Sequence, residues 1–168
     1  TALTKSYIGS IPIDEVGSYS RIYTVTDESD NSTSVTRVVN VVDTTSPTVT
    51  LLGDNPKTVE ADQNGSYVDP DVTAEDNDKR ALNFAVSSNV NMGVAGSYLY
   101  RWRVEDQSGN YTIVDRTVNV VDTTAPLMNL LGTNPYTVEA ADGSAYTDPG
   151  TTATDNAASA MTKATSGT

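Results

Sequence analysis

Oxygen is the only strong ligand chemistry this sequence offers. Its 168 residues include no cysteine and no histidine. That removes thiolate nucleophiles and zinc–thiolate sites, and with them the commonest general base and transition-metal ligand. What remains is a set of acidic and amide side chains in polar, turn-rich stretches: Asp43, Asp76, Asn77, Asp78 and Asp106, then Asp122, Asp155 and Asn156. Carboxylate and amide oxygens drawn from several loops are the donor set of a hard cation such as calcium. The competing reading is turn chemistry, since Asp and Asn hold turns through their own side chains; no EF-hand loop is present. Three Asn-x-Ser/Thr sequons, at Asn31, Asn64 and Asn110, are candidate glycosylation sites. The alternative there is that Asn supplies a left-handed turn conformation. Nothing assembles a catalytic set: there is no Ser–His–acid combination, no phosphate-cradling glycine loop and no zinc motif. The paired carboxylates recur at a fixed spacing, which a structural joint requires and an active site does not. No enzymatic activity is expected.

Charge narrows the partners. With 22 acidic and 10 basic residues the net charge is −12 and the isoelectric point about 4.1. Such a surface repels phosphate backbones and anionic lipid, so neither nucleic acid nor membrane is an expected partner. No apolar run approaches the roughly 20 residues of a membrane-spanning helix.

The carboxylates are positioned by an internal repeat. Val41-Val42-Asp43-Thr44-Thr45-Ser46-Pro47 returns as Val120-Val121-Asp122-Thr123-Thr124-Ala125-Pro126, an offset of 79 residues from Asp43 to Asp122. The same offset relates Leu51-Leu52-Gly53-Asp54-Asn55-Pro56 to Leu130-Leu131-Gly132-Thr133-Asn134-Pro135, and Thr58-Val59-Glu60-Ala61 to Thr137-Val138-Glu139-Ala140. It also relates Tyr67-Val68-Asp69-Pro70 to Tyr146-Thr147-Asp148-Pro149, and Asp27-Glu28-Ser29-Asp30-Asn31 to Asp106-Gln107-Ser108-Gly109-Asn110. A period of this length belongs to self-contained domains. The expected organisation is the C-terminal part of one repeat over 1–42, a complete repeat over 43–121 and the N-terminal part of another over 122–168. Thr1 and Thr168 both fall inside a repeat by register, so the chain is expected to be a window from a longer array. The rival reading has the two partial repeats of like chains completing one fold head to tail.

Within 43–121 the pattern predicts short strands separated by turns. They are Thr48 to Leu52, Lys57 to Ala61, Ser66 to Thr73 with a bulge or edge at Asp69-Pro70, Leu82 to Ser87, Gly96 to Glu105 and Tyr111 to Val121. Gln63-Asn64-Gly65 predicts a turn with positive φ. Gly96 to Glu105 alternates, with Tyr98, Tyr100, Trp102 and Val104 on one face, as a half-buried strand does. No stretch shows a helical apolar period. The expected fold class is all-β, as antiparallel sandwiches of about 79 residues each, with Trp102, Tyr98, Tyr100 and Phe84 supplying much of a modest core. Arg116 shares parity with Val114, Val118 and Val120, which predicts either a bulge or a stem lying along the core rim.

These motifs together resemble bacterial-type immunoglobulin-like repeats. The residues that carry the resemblance are Asp-Thr-Thr-Ala-Pro, Leu-Leu-Gly-x-Asn-Pro-x-Thr-Val-Glu, Tyr-x-Asp-Pro-Gly, Gly-Ser-Tyr and Asp-x-Ser-Gly-Asn. Repeats of this kind occur beside pesticidal crystal proteins and in large secreted or surface proteins, close to the hyaline-repeat group. The resemblance implies tandem immunoglobulin-like sandwiches, extracellular or cell-surface placement, and a spacer, stalk, filament or adhesion role. In that topology Asp43, Asp76, Asn77, Asp78 and Asp106 would approach one another at the pole where the chain enters, and their oxygen donors make calcium the one cofactor expected. The next repeat offers Asp122, Asp155 and Asn156 at its pole. Glu60 and Glu139 would reach the junction that follows each of them. Two departures between copies, Asp71 for Gly150 and Asp78-Lys79-Arg80 for Ala157-Ala158-Ser159, predict loops that differ. The expected partners are neighbouring repeats, of the same chain or of like chains. Alternatives are a glycan or surface protein bound through loops at one pole, with Tyr136 as a candidate contact, and an accessory spacer of a secreted hydrolase or toxin.

Overall fold

The computed structural model describes residues 2–140, 143 and 145–166; Thr1 and Thr168 lie outside the described residues. Among the latter there is no helix, and eleven strands form: β1 Thr4–Ile8, β2 Gly17–Thr26, β3 Ser32–Val41, β4 Thr48–Leu51, β5 Lys57–Glu60, β6 Val72–Glu75, β7 Asn83–Ser88, β8 Gly96–Glu105, β9 Tyr111–Val121, β10 Leu127–Leu130 and β11 Thr151–Thr154. β1, β2 and β3 begin 79 residues before β7, β8 and β9, and β10 and β11 begin 79 residues after β4 and β6. At these strands equal sequence at equal register has produced equal local structure, whereas Tyr136–Glu139, at the register of β5, forms no strand.

Four sheets result: β1-β2-β3, β4-β6, β5-β9-β8-β7 and β10-β11. The fold is an all-β, immunoglobulin-like β-sandwich. The first sheet is antiparallel, with Thr4 opposite Thr26 and Gly17 opposite Val41. β5 pairs with β9 in parallel, Lys57 opposite Val118, so the sandwich is not wholly antiparallel. The expected strand from Ser66 to Thr73 does not form; pairing starts only at Val72. The Asp69 carboxylate accepts the Asp71 amide at 2.9 Å, and Asp71 has φ +83°, which turns the chain out of the extended region.

By compactness the chain divides into two units. One comprises Thr1–Thr50, Val72–Val86 and Trp102–Val114; the other comprises Leu51–Asp71, Ser87–Arg101 and Asp115–Thr168. In the first, Val104 and Pro47 are fully buried, and the Thr112 hydroxyl donates to the Pro47 carbonyl at 2.6 Å. Trp102 meets Phe84 edge-on at 6.4 Å, but Phe84 is 51% exposed, so this ring supplies less core than its size suggests. Arg103 lies over the Tyr111 ring at 4.1 Å.

The second unit holds the packed core. Ala61, Val118, Val120 and Ala157 form it, with Val59, Tyr67, Val90, Met92, Tyr98 and Tyr100 half-buried around them. Small aliphatic residues, not the aromatic rings, are the fully buried part. Arg116 corrects both alternatives its parity suggested. It is 0% exposed and pairs with Asp69 at 2.7 Å, the Asp69 side chain being 1% exposed. Its other nitrogens donate to the carbonyls of Leu52, at 2.6 Å, and Asp54. An arginine is tolerated in a core position only because its fork finds a carboxylate and two carbonyls there. Tyr67 completes the knot, donating to Asp69 at 3.1 Å. Burial first, and then that bond, push its hydroxyl up to about 12.

Candidate metal centre and the repeat junctions

The β8–β9 hairpin shows how the acidic loops are built. One Asp106 carboxylate oxygen accepts the amides of Ser108 (2.8 Å) and Asn110 (2.9 Å), and the other accepts the Asn110 side-chain amide at 2.7 Å. Burial raises the Asp106 pKa, but the hydrogen bonds from Asn110 and Ser108 outweigh it and leave the group below the ordinary range. The β2–β3 hairpin repeats the pattern, with Asp27 accepting from Ser29 at 2.8 Å and Asn31 at 2.9 Å. The left-handed residue in these hairpins is not the sequon asparagine. It is the residue before it, Gly109 at φ +89° and Asp30 at φ +63°. Asn31 and Asn110 instead spend their side-chain amides on the hairpin aspartate, and Asn110 also donates to the Asp43 carbonyl at 3.2 Å. Asn64 is exposed. Its turn is held by Asp62, which accepts the Asn64 amide at 3.0 Å, and neither Asn64 nor Gly65 has positive φ.

At the first junction, Asp43, Asp76 and Asp106 each present an oxygen within 4.8 Å of the other two. Asp43 is 8% and Asp106 4% exposed. Asp43 Oδ1 accepts from the Thr45 amide (3.1 Å) and the Asn77 side chain (3.2 Å). Asp76 Oδ2 accepts from the Asp78 amide at 3.2 Å. The remaining oxygens, Asp43 Oδ2 and Asp76 Oδ1, are buried and have no hydrogen-bond partner. Of the other two members of the expected set, one touches the cluster and one is drawn to a cation. Asn77 orients Asp43 by donating to it, and the Asp78 carboxylate is turned onto Arg80, whose charge draws it away. Beside them the Ile13–Val16 loop lines a small cleft with Val41, Asp43, Asn77 and Asp78, and Lys79 pairs with Asp14 at 3.3 Å.

The second junction has the same registers and other chemistry. Asp122 is exposed, and Asp155 accepts the amide of Asn156 at 2.9 Å; neither belongs to a group of three or more acidic side chains among the described residues. Glu60 does the holding. Its carboxylate accepts the amides of Thr123 (2.8 Å) and Thr124 (3.1 Å) and both of their hydroxyls (2.8 and 2.9 Å). Asn156 adds a fifth bond to it at 3.2 Å and reaches the Ala61 carbonyl at 2.8 Å. The Thr123 amide and hydroxyl foremost, against some desolvation, lower the Glu60 pKa to about 2. Gln63 donates to the carbonyls of Asp155 (2.6 Å) and Asn156 (2.7 Å), and Ala158 to that of Gly93 at 2.7 Å. Ala157, buried in the core cluster, stands at the register of Asp78. The expectation that these loops differ is thus met here: an apolar plug and backbone bonds replace an ion pair. It is not met at Asp71 and Gly150, whose φ values of +83° and +88° are nearly the same.

Sequence reasoning missed Gln63 and Ala157. The only signal for Ala157 was the loss of charge between copies at that register. Glu139 is exposed, and Tyr136 lies beside Tyr146 at 6.0 Å between ring centres. No curated protein matches the chain. Residues 49–120 match the family described as bacterial surface protein, Ig-like domain, so this stretch of the chain is similar to bacterial surface Ig-like domains.

Proposed function

We propose that the chain is a non-catalytic segment of a tandem array at the bacterial cell surface, a rod-like spacer that carries another part of its protein outward. One observation carries the reading: the Glu60 carboxylate gathers five donors from Thr123, Thr124 and Asn156. Asp-Thr-Thr is the segment that recurs 79 residues apart, so the grip acts on the linker itself. A flexible tether has no use for a carboxylate that fixes two successive backbone amides. An acidic surface, with no cysteine to depend on redox state, suits an extracellular array.

Nitrogen-15 relaxation across Asp122–Ala125 in the full chain tests this. The spacer reading expects order parameters near those of β9, falling towards loop values in Glu60→Ala. A linker as mobile as a free loop in the unsubstituted chain would sink it.

A further inference from the structure

We propose that Asp43, Asp76 and Asp106 form a calcium site at the first junction. An acidic cluster alone would not carry this. The added observation is that two of its oxygens, Asp43 Oδ2 and Asp76 Oδ1, are buried and unpartnered, on a side chain that is more than nine-tenths buried in the case of Asp43. A buried carboxylate oxygen without a donor costs free energy that a folded protein rarely leaves uncompensated. No Lys or Arg among the described residues pairs with any of the three; the nearby cations are committed, Arg80 to Asp78, Lys79 to Asp14 and Arg103 to Glu105. One oxygen from each lies within 4.8 Å of the others. Ligands at the roughly 2.3–2.6 Å calcium–oxygen distance span up to about 5 Å across the ion, so one shell accommodates all three. Water completes the six to eight ligands calcium takes.

The supporting bonds leave Asp43 Oδ2 and Asp76 Oδ1 free, whereas both Asp106 oxygens already accept hydrogen bonds and would meet an ion with their remaining lone pairs. Asn77 and the Thr45 amide hold Asp43 by Oδ1, the Asp78 amide holds Asp76 by Oδ2, and Ser108 and Asn110 hold Asp106. Each ligand comes from a different segment: the linker after β3, the loop after β6, and the β8–β9 hairpin. A cation there ties the linker to both loops. That consequence rests on the spacer reading; the binding itself does not.

Calorimetry and thermal melting of the full chain test it, with calcium chloride against magnesium chloride. For a dissociation constant of about 0.1–1 mM, as extracellular modules show, calcium at about 10 mM should raise Tm by on the order of 5–20 °C. Asp76→Asn and, separately, Asp43→Asn should abolish the calcium heat and the shift. Asp76→Asn should not lower the calcium-free Tm, because it removes a like charge. Asp155→Asn should keep the full response. No heat and no shift in the unsubstituted chain would overturn the proposal, as would an equal response to magnesium or a response that survives Asp76→Asn. Linker relaxation at Asp122–Ala125 reads the spacer separately, so either idea can fail alone.

Discussion

Replacing Arg116 by Met removes the counter-charge of a carboxylate that is only 1% exposed. It also takes donors from the Leu52 and Asp54 carbonyls. Met matches the aliphatic stem in reach and adds no strain, so the change reports on the lost guanidinium. Removing one partner of a buried pair costs about 3–5 kcal/mol, because the remaining charge stays desolvated. Each carbonyl left without its donor adds up to about 1–3 kcal/mol, less where water enters. A small domain holds a total of about 5–15 kcal/mol, so Arg116→Met should stand close to unfolding. With an m-value near 1.5 kcal/mol/M, the lost pair alone should lower the urea midpoint by roughly 2–3 M, and the uncapped carbonyls lower it further. Trp102, the only tryptophan, reports the transition by fluorescence. The double variant Arg116→Met/Asp69→Asn should recover part of the loss, since the neutral amide removes the desolvated ion and keeps an oxygen for the Asp71 amide, while the two carbonyls stay uncapped. A loss under about 1 kcal/mol in the single variant would refute the buried-pair argument, as would a double variant less stable than the single one.

Other outcomes follow from particular contacts. The folded pKa of Glu60 lies below its unfolded value, so its contribution is full above pH 4.5 and is lost as pH falls towards about 2; Thr123 and Thr124 amide shifts should titrate near that lower value, and a midpoint near 4.5 would count against the grip. Asp30 has φ +63° where the other copy has Gly109 at +89°, so Asp30→Gly should stabilise by about 0.5–1 kcal/mol and Gly109→Ala destabilise by about 1 kcal/mol in urea melts. Ala157→Asp places a carboxylate in the core cluster with Ser159 where the other copy has Arg80; Tm should drop, and adding Ser159→Arg should restore part of it. Failure of that rescue would mean that the two junctions are not interchangeable at this register.

Much of the fold was legible because its signals are local. The alternation from Gly96 to Glu105 and the run from Tyr111 to Val121 coincide with β8 and β9, since a period of two is fixed by strand geometry whatever lies opposite. The repeat marked the two Asp-Thr-Thr segments, and the absence of His and Cys left only oxygen chemistry to consider. Asp43, Asp76 and Asp106 were nameable because turn-forming aspartates mark loops, and an immunoglobulin-like topology brings those loops to one pole.

What the tertiary structure decided was the state of each buried polar group, because that depends on which partner reaches it across dozens of residues. Arg116 on parity alone was an anomaly; Asp69, 47 residues away, makes it a core residue. Asp43 and Asp78 looked equivalent as ligands, but Arg80 takes one and leaves the other with an unpartnered oxygen. Glu60 could be pointed at the next linker from sequence, yet only the fold set five donors around it. Sequence determined where strands, turns and carboxylates fall. Desolvation, which no local pattern encodes, determined which of those carboxylates are committed and which are left open.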